Sequence, residues 1–323
     1  MIGEIIVNMS FCSPSHEKVY ERDSTCFTKE ALIRLVQAWN DANPDDAIKG
    51  AERASKKKLW GDLNKKMFRV CKGSGREWCW VDKLAKAKSS PEVAKSLRPA
   101  RPREWYKKPY AWLSNFDIEA VMRQYQDDKQ NRFRFLGVYP LDFAAKDMFG
   151  SCLFREICSL DISKLARGRN GVKYIGMITN LDYHDEDGSH WTSLFACIDP
   201  KSPCFGAYYY DSVAPSVPPK EITQFMQHLK AQGEALAKET PGAERAVFRI
   251  DYNKKRHQYG NSECGLFSMA YQIRWLDKLQ KNPETTRFEE VVDVNLKDEH
   301  VHQLRKILFR PNTREEVTSG GKK

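Results

Sequence analysis

The chain has 323 residues and a mass of 37.4 kDa, enough to bury a sizeable core as one large domain or two of ordinary size. With 41% apolar and 30% charged residues it is too hydrophobic to be disordered, and its longest charge-free run, Ile5 to His16, is far short of a membrane-crossing helix. The formal charge of +10 is not spread evenly: residues 51–110 hold 18 Lys+Arg against 6 Asp+Glu, a balance of +12, which leaves −2 for the rest. The first ten residues lack a basic start and a continuous apolar block, so no secretory signal is expected. The nine cysteines are odd in number and scattered, without a C-x-x-C pair. That predicts free thiols in a reducing compartment rather than a disulfide framework or a structural zinc site.

In chain order, Thr28 caps a predicted amphipathic helix with Leu32, Leu35, Val36 and Trp39 at helical spacing, ended by Asn40 and Asn43-Pro44. The basic stretch follows, with Lys56-Lys57-Lys58, Lys65-Lys66 and Trp78-Cys79-Trp80, and runs into a Ser- and Pro-rich linker near 89–103. Lysines interleaved with Trp60, Trp78, Trp80, Trp105 and Tyr106 fit a surface for nucleic acid, with Lys56, Lys57, Lys58, Lys65 and Lys66 as contacts. They fit equally a solvated helix face over a small tryptophan core. Ser114 opens a further helix with Phe116 or Ile118, Val121, Met122 and Tyr125 on one face. Three β-rich segments come next, Tyr174 to Leu181, Trp191 to Ile198 and Phe205 to Tyr210, the last two joined closely enough to pair antiparallel. A long helix, Glu221 to Lys238, a strand, Ala246 to Tyr252, and a helix beginning near Cys264 complete the pattern. This is an α+β chain: a mixed central sheet flanked by helices over 111–323, preceded by a largely helical basic accessory domain over 1–110.

The chemistry concentrates before the last helix, in His257-Gln258-Tyr259-Gly260-Asn261-Ser262-Glu263-Cys264-Gly265. A cysteine at a helix N-terminus sits at the positive end of the helix dipole, which favours its thiolate. Gly265 lets a substrate backbone come close, and Gln258 can fold back so that its amide and the Cys264 N–H form an oxyanion hole. A thiolate nucleophile needs a base, and the base needs an orienting group. His190 starts one strand of the hairpin and Asp211 ends the other, so pairing brings both to one edge of the sheet.

His190-Trp191, Tyr209-Tyr210-Asp211-Ser212, Gln258, Asn261 and Cys264-Gly265-Leu266-Phe267, in that order, resemble the adenain-like clan of cysteine proteases, which includes the SUMO proteases. Within the clan, Cys26 to Leu32, Trp112 to Ile118 and Phe135 to Val138 look most like the polyprotein-processing proteases of nucleocytoplasmic large DNA viruses. Those three segments serve as family markers, without a catalytic side chain. The clan usually has Asp where this chain has Glu263.

The resemblance implies Cys264 as nucleophile, His190 as general base and acid, Asp211 as its partner and Gln258 as oxyanion donor. It implies cleavage after Gly-Gly, with Trp191 over a narrow channel and Asn261 and Gly265 beside the substrate. The substrate is a viral structural polyprotein or, in a second reading, a SUMO or ubiquitin-like conjugate. A third reading is a catalytically silent scaffold binding nucleic acid through residues 51–110. The expected locations are the virion and host cytoplasm. Gly320-Gly321 is a candidate self-processing site. No phosphate loop, Walker motif or dinucleotide fingerprint calls for a cofactor, the run Asp182 to Gly188 lacks the spacing of a calcium loop, and His257 either contacts substrate or faces water.

Overall fold

A computed structural model describes residues 11–168 and 171–311, and Gly320-Gly321 lies outside the described residues. The chain forms two units, one of described residues 11–109 with 303–311 and one running from Tyr110 to His302.

In the first unit, Thr28 Oγ1 accepts from Ala31 N and starts helix α1 (Lys29–Ala42), which buries Leu32, Leu35, Val36 and Trp39. Helix α2 (Lys56–Val70), capped by Ser55, turns Leu59, Leu63 and Met67 inward at four-residue spacing. Helix α3 (Glu77–Lys83) buries Trp80, which stacks on Phe27. The tryptophans therefore build this core. Trp60 Nε1 donates to the buried Glu77 carboxylate at 2.6 Å, and Glu77 also accepts from Cys26 N at 2.9 Å. Burial pushes the Glu77 carboxyl up, against those hydrogen bonds.

Three sequence expectations are corrected here. Residues 89–103 are packed rather than linking: Val93, Ser96 and Leu97 are buried, Leu97 bridges Cys12, and Arg98 N donates to Phe11 O. Pro91 opens a short helix there, Pro91–Ala94, which turns Val93 inward. The sequence division runs its second domain to residue 323, whereas the described residues 303–311 belong with the first unit. Ala100 bridges Arg310, Trp105 meets Phe309 edge-on at 5.1 Å, and Arg310 pairs with Asp82. Finally, six cysteines expected as free thiols are paired: Cys12–Cys26, Cys71–Cys79 and Cys152–Cys158. Cys197, Cys204 and Cys264 are free. The partners lie 14, 8 and 6 residues apart, joined by local turns that a search for metal-ligand spacing does not detect.

The second unit is built on one five-stranded mixed sheet. Helix α4 (Asn115–Asp127) begins with a capping box between Ser114 and Asp117 and buries Ile118, Val121 and Met122, while Phe116 stays exposed. The strands are β1 (Phe133–Tyr139), β2 (Tyr174–Asn180), β3 (Trp191–Cys197), β4 (Gly206–Tyr210) and, after helix α5 (Lys220–Lys238), β5 (Arg249–Tyr252). Their spatial order follows the chain, with β1–β2 and β4–β5 parallel and the two pairs between them antiparallel. Strand β1 was not anticipated. Its Phe-Arg-Phe-Leu-Gly-Val-Tyr run is broken by Gly137 at φ +140°, where the register with β2 shifts.

Period-two alternation assigns the two faces. Ile175, Met177, Leu194, Ala196, Ala207 and Tyr209 share a core with Ile222, Phe225, Met226 and Leu229 of α5. On the other face, helix α6 (Cys264–Lys281) lays Trp275 flat on Phe195, ring centroids 4.8 Å apart, beside Tyr208. Every residue of β3 is buried, as a central strand covered on both faces requires. Gln272 Nε2 donates to Met177 O and Ser193 Oγ, passing over Gly176, whose Cβ would collide with it.

Trp275→Ala should lower folding stability by about 3–5 kcal/mol, the usual penalty for deleting a fully buried aromatic ring. Chemical denaturation checks this; a loss below about 1 kcal/mol would mean that the stack on Phe195 does not anchor α6.

Candidate active site

The edge where β3 begins and β4 ends carries the titratable groups. His190 precedes β3, and its carbonyl accepts from Leu181 N, so it is held to the chain leaving β2. Asp211 follows β4, and the β3–β4 register pairing Ser193 with Tyr210 brings it back to His190. The ring Nε2 lies 2.8 Å from Asp211 Oδ1. With Nε2 on Asp211, the ring nitrogen left to face the Cys264 sulfur is Nδ1. Burial by itself would lower the imidazole pKa. The hydrogen bonds and charges of Asp211 and Cys264 outweigh it, and the ring is pushed up to about 9.

Asp211 is held on several sides. Its backbone N–H donates to Asn253 Oδ1 at 2.8 Å, Asn253 Nδ2 returns a bond to Asp211 O at 2.7 Å, and Oδ1 also accepts from Val213 N. Asn253 follows β5, so the parallel β4–β5 pairing supplies this clamp. Ser212 then fixes the next group: its carbonyl accepts from His257 N and Gln258 N, and its Oγ donates to Gln258 Oε1 at 2.6 Å. With Oε1 occupied, the amide orientation of Gln258 is set. One N–H of Nε2 donates to Gly260 O at 2.9 Å, which leaves the second unused.

Cys264 is the first residue of α6 and only 2% exposed. One turn later Ser268 Oγ donates to Trp191 O at 3.0 Å, fixing the helix start beside His190. Trp191 Nε1 donates to Leu113 O, and Trp112 Nε1 donates to Asn261 O at 2.8 Å. The segment around Trp112, read from sequence as a family marker alone, thus forms one wall of the site. A cleft of about 410 Å³ opens beside it, lined by Ser114, Asn115, Tyr139, Asp182, Gly188 and Trp191 among others. Gly265 is corrected: it is buried, and a Cβ there would meet Leu113 Cδ1 at 3.1 Å and Trp191 Cδ1 at 3.2 Å. Its bareness admits the wall, not a substrate backbone. Asn261 is exposed, and its carbonyl serves Trp112.

His257 neither faces water nor reaches the cleft. It is 2% exposed with Nδ1 on Tyr210 Oη, and burial, with Lys255 and Arg274, pushes its pKa down. Asp298 went unread in the sequence: it opens helix α7 (Asp298–His302) and accepts from the Tyr259 and Gly260 N–H groups, while His302 of the same helix meets the buried Glu263 carboxylate through Nδ1 at 2.8 Å. Ser212 and Asn253 carried no signal beyond their neighbours.

The five lysines singled out in the sequence, Lys56, Lys57, Lys58, Lys65 and Lys66, all lie on α2. Lys56 pairs with Asp23, Lys58 with Asp62 and Lys66 with Asp46, while Lys57 and Lys65 are exposed. The interleaved Trp80 and Trp105 are buried and present no stacking face. No described helix is long and apolar enough to cross a membrane.

Residues 170–317 match the Ulp1 protease family, C-terminal catalytic domain, and include His190, Asp211, Gln258 and Cys264. A chain named as a thiol protease, from Acanthamoeba polyphaga mimivirus, is 26% identical over 94% of both sequences. A SUMO-1 cysteine protease of African swine fever virus is 29% identical over 61% of this chain and 67% of its own. The crystal structure of the African swine fever virus protease superposes with a TM-score of 0.54 at 18% identity, covering 96% of this chain and 99% of that one, which establishes the shared fold. Residues 170–317 are thus similar to the Ulp1 catalytic domain, and the chain is a cysteine-type peptidase, a hydrolase. The silent-scaffold reading is thereby set aside.

Asp211→Asn should move the His190 titration down from about 9 toward the ordinary value near 6.5, since burial remains and the carboxylate is lost. The sign follows for stability. The contribution of the charged pair is fully present below about pH 6.5 and is lost as pH rises through about 9. Imidazole NMR titration checks this; an unmoved His190 in the variant would mean that Asp211 does not hold the proton there.

Proposed function

We propose that this Ulp1-like peptidase cleaves viral structural polyproteins after Gly-Gly, with Cys264 as nucleophile, His190 as base and acid, Asp211 as its orienting partner and Gln258 as oxyanion donor. The observation that carries the reading is the His190 ring, hydrogen-bonded to Asp211 and close enough to Cys264 for the thiol to act on its charge. A protonated ring beside the sulfur favours negative charge on it. Sγ attacks the scissile carbonyl, and the developing oxyanion lies toward the Cys264 N–H and the unused Gln258 N–H. Collapse breaks the C–N bond and leaves a thioester, while His190 gives its proton to the departing amine. Water then attacks the thioester as His190 takes one of its protons, and the acid product leaves as the thiol is restored.

Selectivity for Gly-Gly is steric in this reading: Trp112 and Trp191 are held through their indole N–H groups by Asn261 O and Leu113 O, and fixed indoles at the site favour a backbone without side chains. Viral relatives that match over most of their length support the polyprotein substrate and action in the virion and host cytoplasm. The second reading, deconjugation of SUMO or another ubiquitin-like protein, is supported by the family match and by relatives named as SUMO-1 proteases.

Cys264→Ala should reduce cleavage of a Gly-Gly-containing polyprotein fragment by on the order of 10⁶-fold. Gln258→Ala should lower kcat by roughly 10²–10³ with the thiol still reactive. Residual cleavage by the Cys264→Ala protein would overturn the assignment. Parallel incubation with a ubiquitin-like conjugate ending in Gly-Gly decides between the two substrates, since the preferred one should be cut faster at equal concentration.

A further inference from the structure

We propose that the short helix α7 is the positioning element of the oxyanion loop, with Asp298 its central residue, acting through Gly260 on the amide of Gln258. This rests on the peptidase reading of the site. Asp298 Oδ2 accepts two backbone N–H groups, Tyr259 at 2.9 Å and Gly260 at 3.1 Å, although Asp298 lies 38 residues beyond Gly260. His302 is one turn further along the same helix face, and its Nδ1 lies 2.8 Å from Glu263 Oε1. The Tyr110 ring covers His302 with centroids 4.6 Å apart. A five-residue helix therefore grips the loop at both ends, at 259–260 and at the residue before the nucleophile.

The grip bears on chemistry because of where the Gln258 amide points. Its Oε1 is held by Ser212 and one Nε2 proton by Gly260 O, so the direction of the remaining N–H depends on the orientation of Gly260. Glycine resists rotation less than any other residue. Asp298 supplies the missing restraint by holding the Gly260 N–H. Removing it frees Gly260, tilts the Gln258 amide and misaims the oxyanion donor, while His190, Asp211 and Cys264 keep their own contacts.

The test compares wild type, Asp298→Ala, Asp298→Asn and Asp298→Glu in the full chain. It uses steady-state cleavage of a Gly-Gly-containing peptide, iodoacetamide alkylation of Cys264 and thermal unfolding. Asp298→Ala should lower kcat by about tenfold or more, with KM and the Cys264 alkylation rate within about twofold of wild type, since a misaimed donor affects the transition state alone. Asp298→Asn, whose carbonyl still accepts both N–H groups, should recover most of that kcat. Asp298→Glu keeps the charge but displaces it by a methylene, so it should show the alanine defect even if the alanine variant does not fold. Unchanged kcat with a lowered unfolding temperature would overturn the inference, as would alkylation falling in step with kcat. A wild type that neither cleaves nor alkylates preferentially at Cys264 would instead overturn the reading of the site on which the inference rests.

Discussion

Helix α6 is held across the sheet by two buried polar side chains that reach strand groups. Ser268 donates to the carbonyl of Trp191, and Gln272 reaches Met177 O and Ser193 Oγ through the gap left by Gly176. Both bonds are buried, so each has a definite geometry and a penalty for loss that an apolar contact would not impose. Trp275 on Phe195 supplies area, and the two polar side chains supply register. Cys264, one turn before Ser268, is consequently placed beside His190 by the docking of a whole helix rather than by the loop that precedes it.

The same logic repeats at the end of β4. Asp211, Ser212 and Tyr210 are consecutive, and each holds something different: His190, Gln258 and His257. Asn253 at the end of the neighbouring parallel strand closes the arrangement by exchanging two hydrogen bonds with the Asp211 backbone. A carboxylate 1% exposed is tolerable because its partners are built into the sheet edge. The cost of burying the imidazole is met in the same way, by its carboxylate and thiol neighbours together.

The parts of the site that lie along a regular element were legible in the sequence. The hairpin of β3 and β4 could be read from alternation, and pairing alone brings His190 to Asp211; the helix beginning at Cys264 was visible from its apolar spacing. What was not legible came from elements far apart in the chain. Asn253 meets Asp211 only because β5 returns parallel to β4, and Asp298 meets Gly260 only after two helices have intervened. Gly265 was misread because a bare backbone looks the same whether it faces a ligand or a packed Leu113. The disulfides escaped because no spacing rule reports that two short turns bring sulfurs together.

Between Gln258 and Cys264 the chain is occupied almost residue by residue: Gln258 with Ser212, Tyr259 and Gly260 with Asp298, Asn261 with Trp112, Glu263 with His302. A loop held in this way has a fixed length. An insertion or deletion would break several of these contacts at once, unlike a change in the exposed turn at Asp185 to Ser189. Anyone redesigning this enzyme for another substrate would therefore leave that loop untouched and diversify the cleft lining instead, at Asn115 and Tyr139.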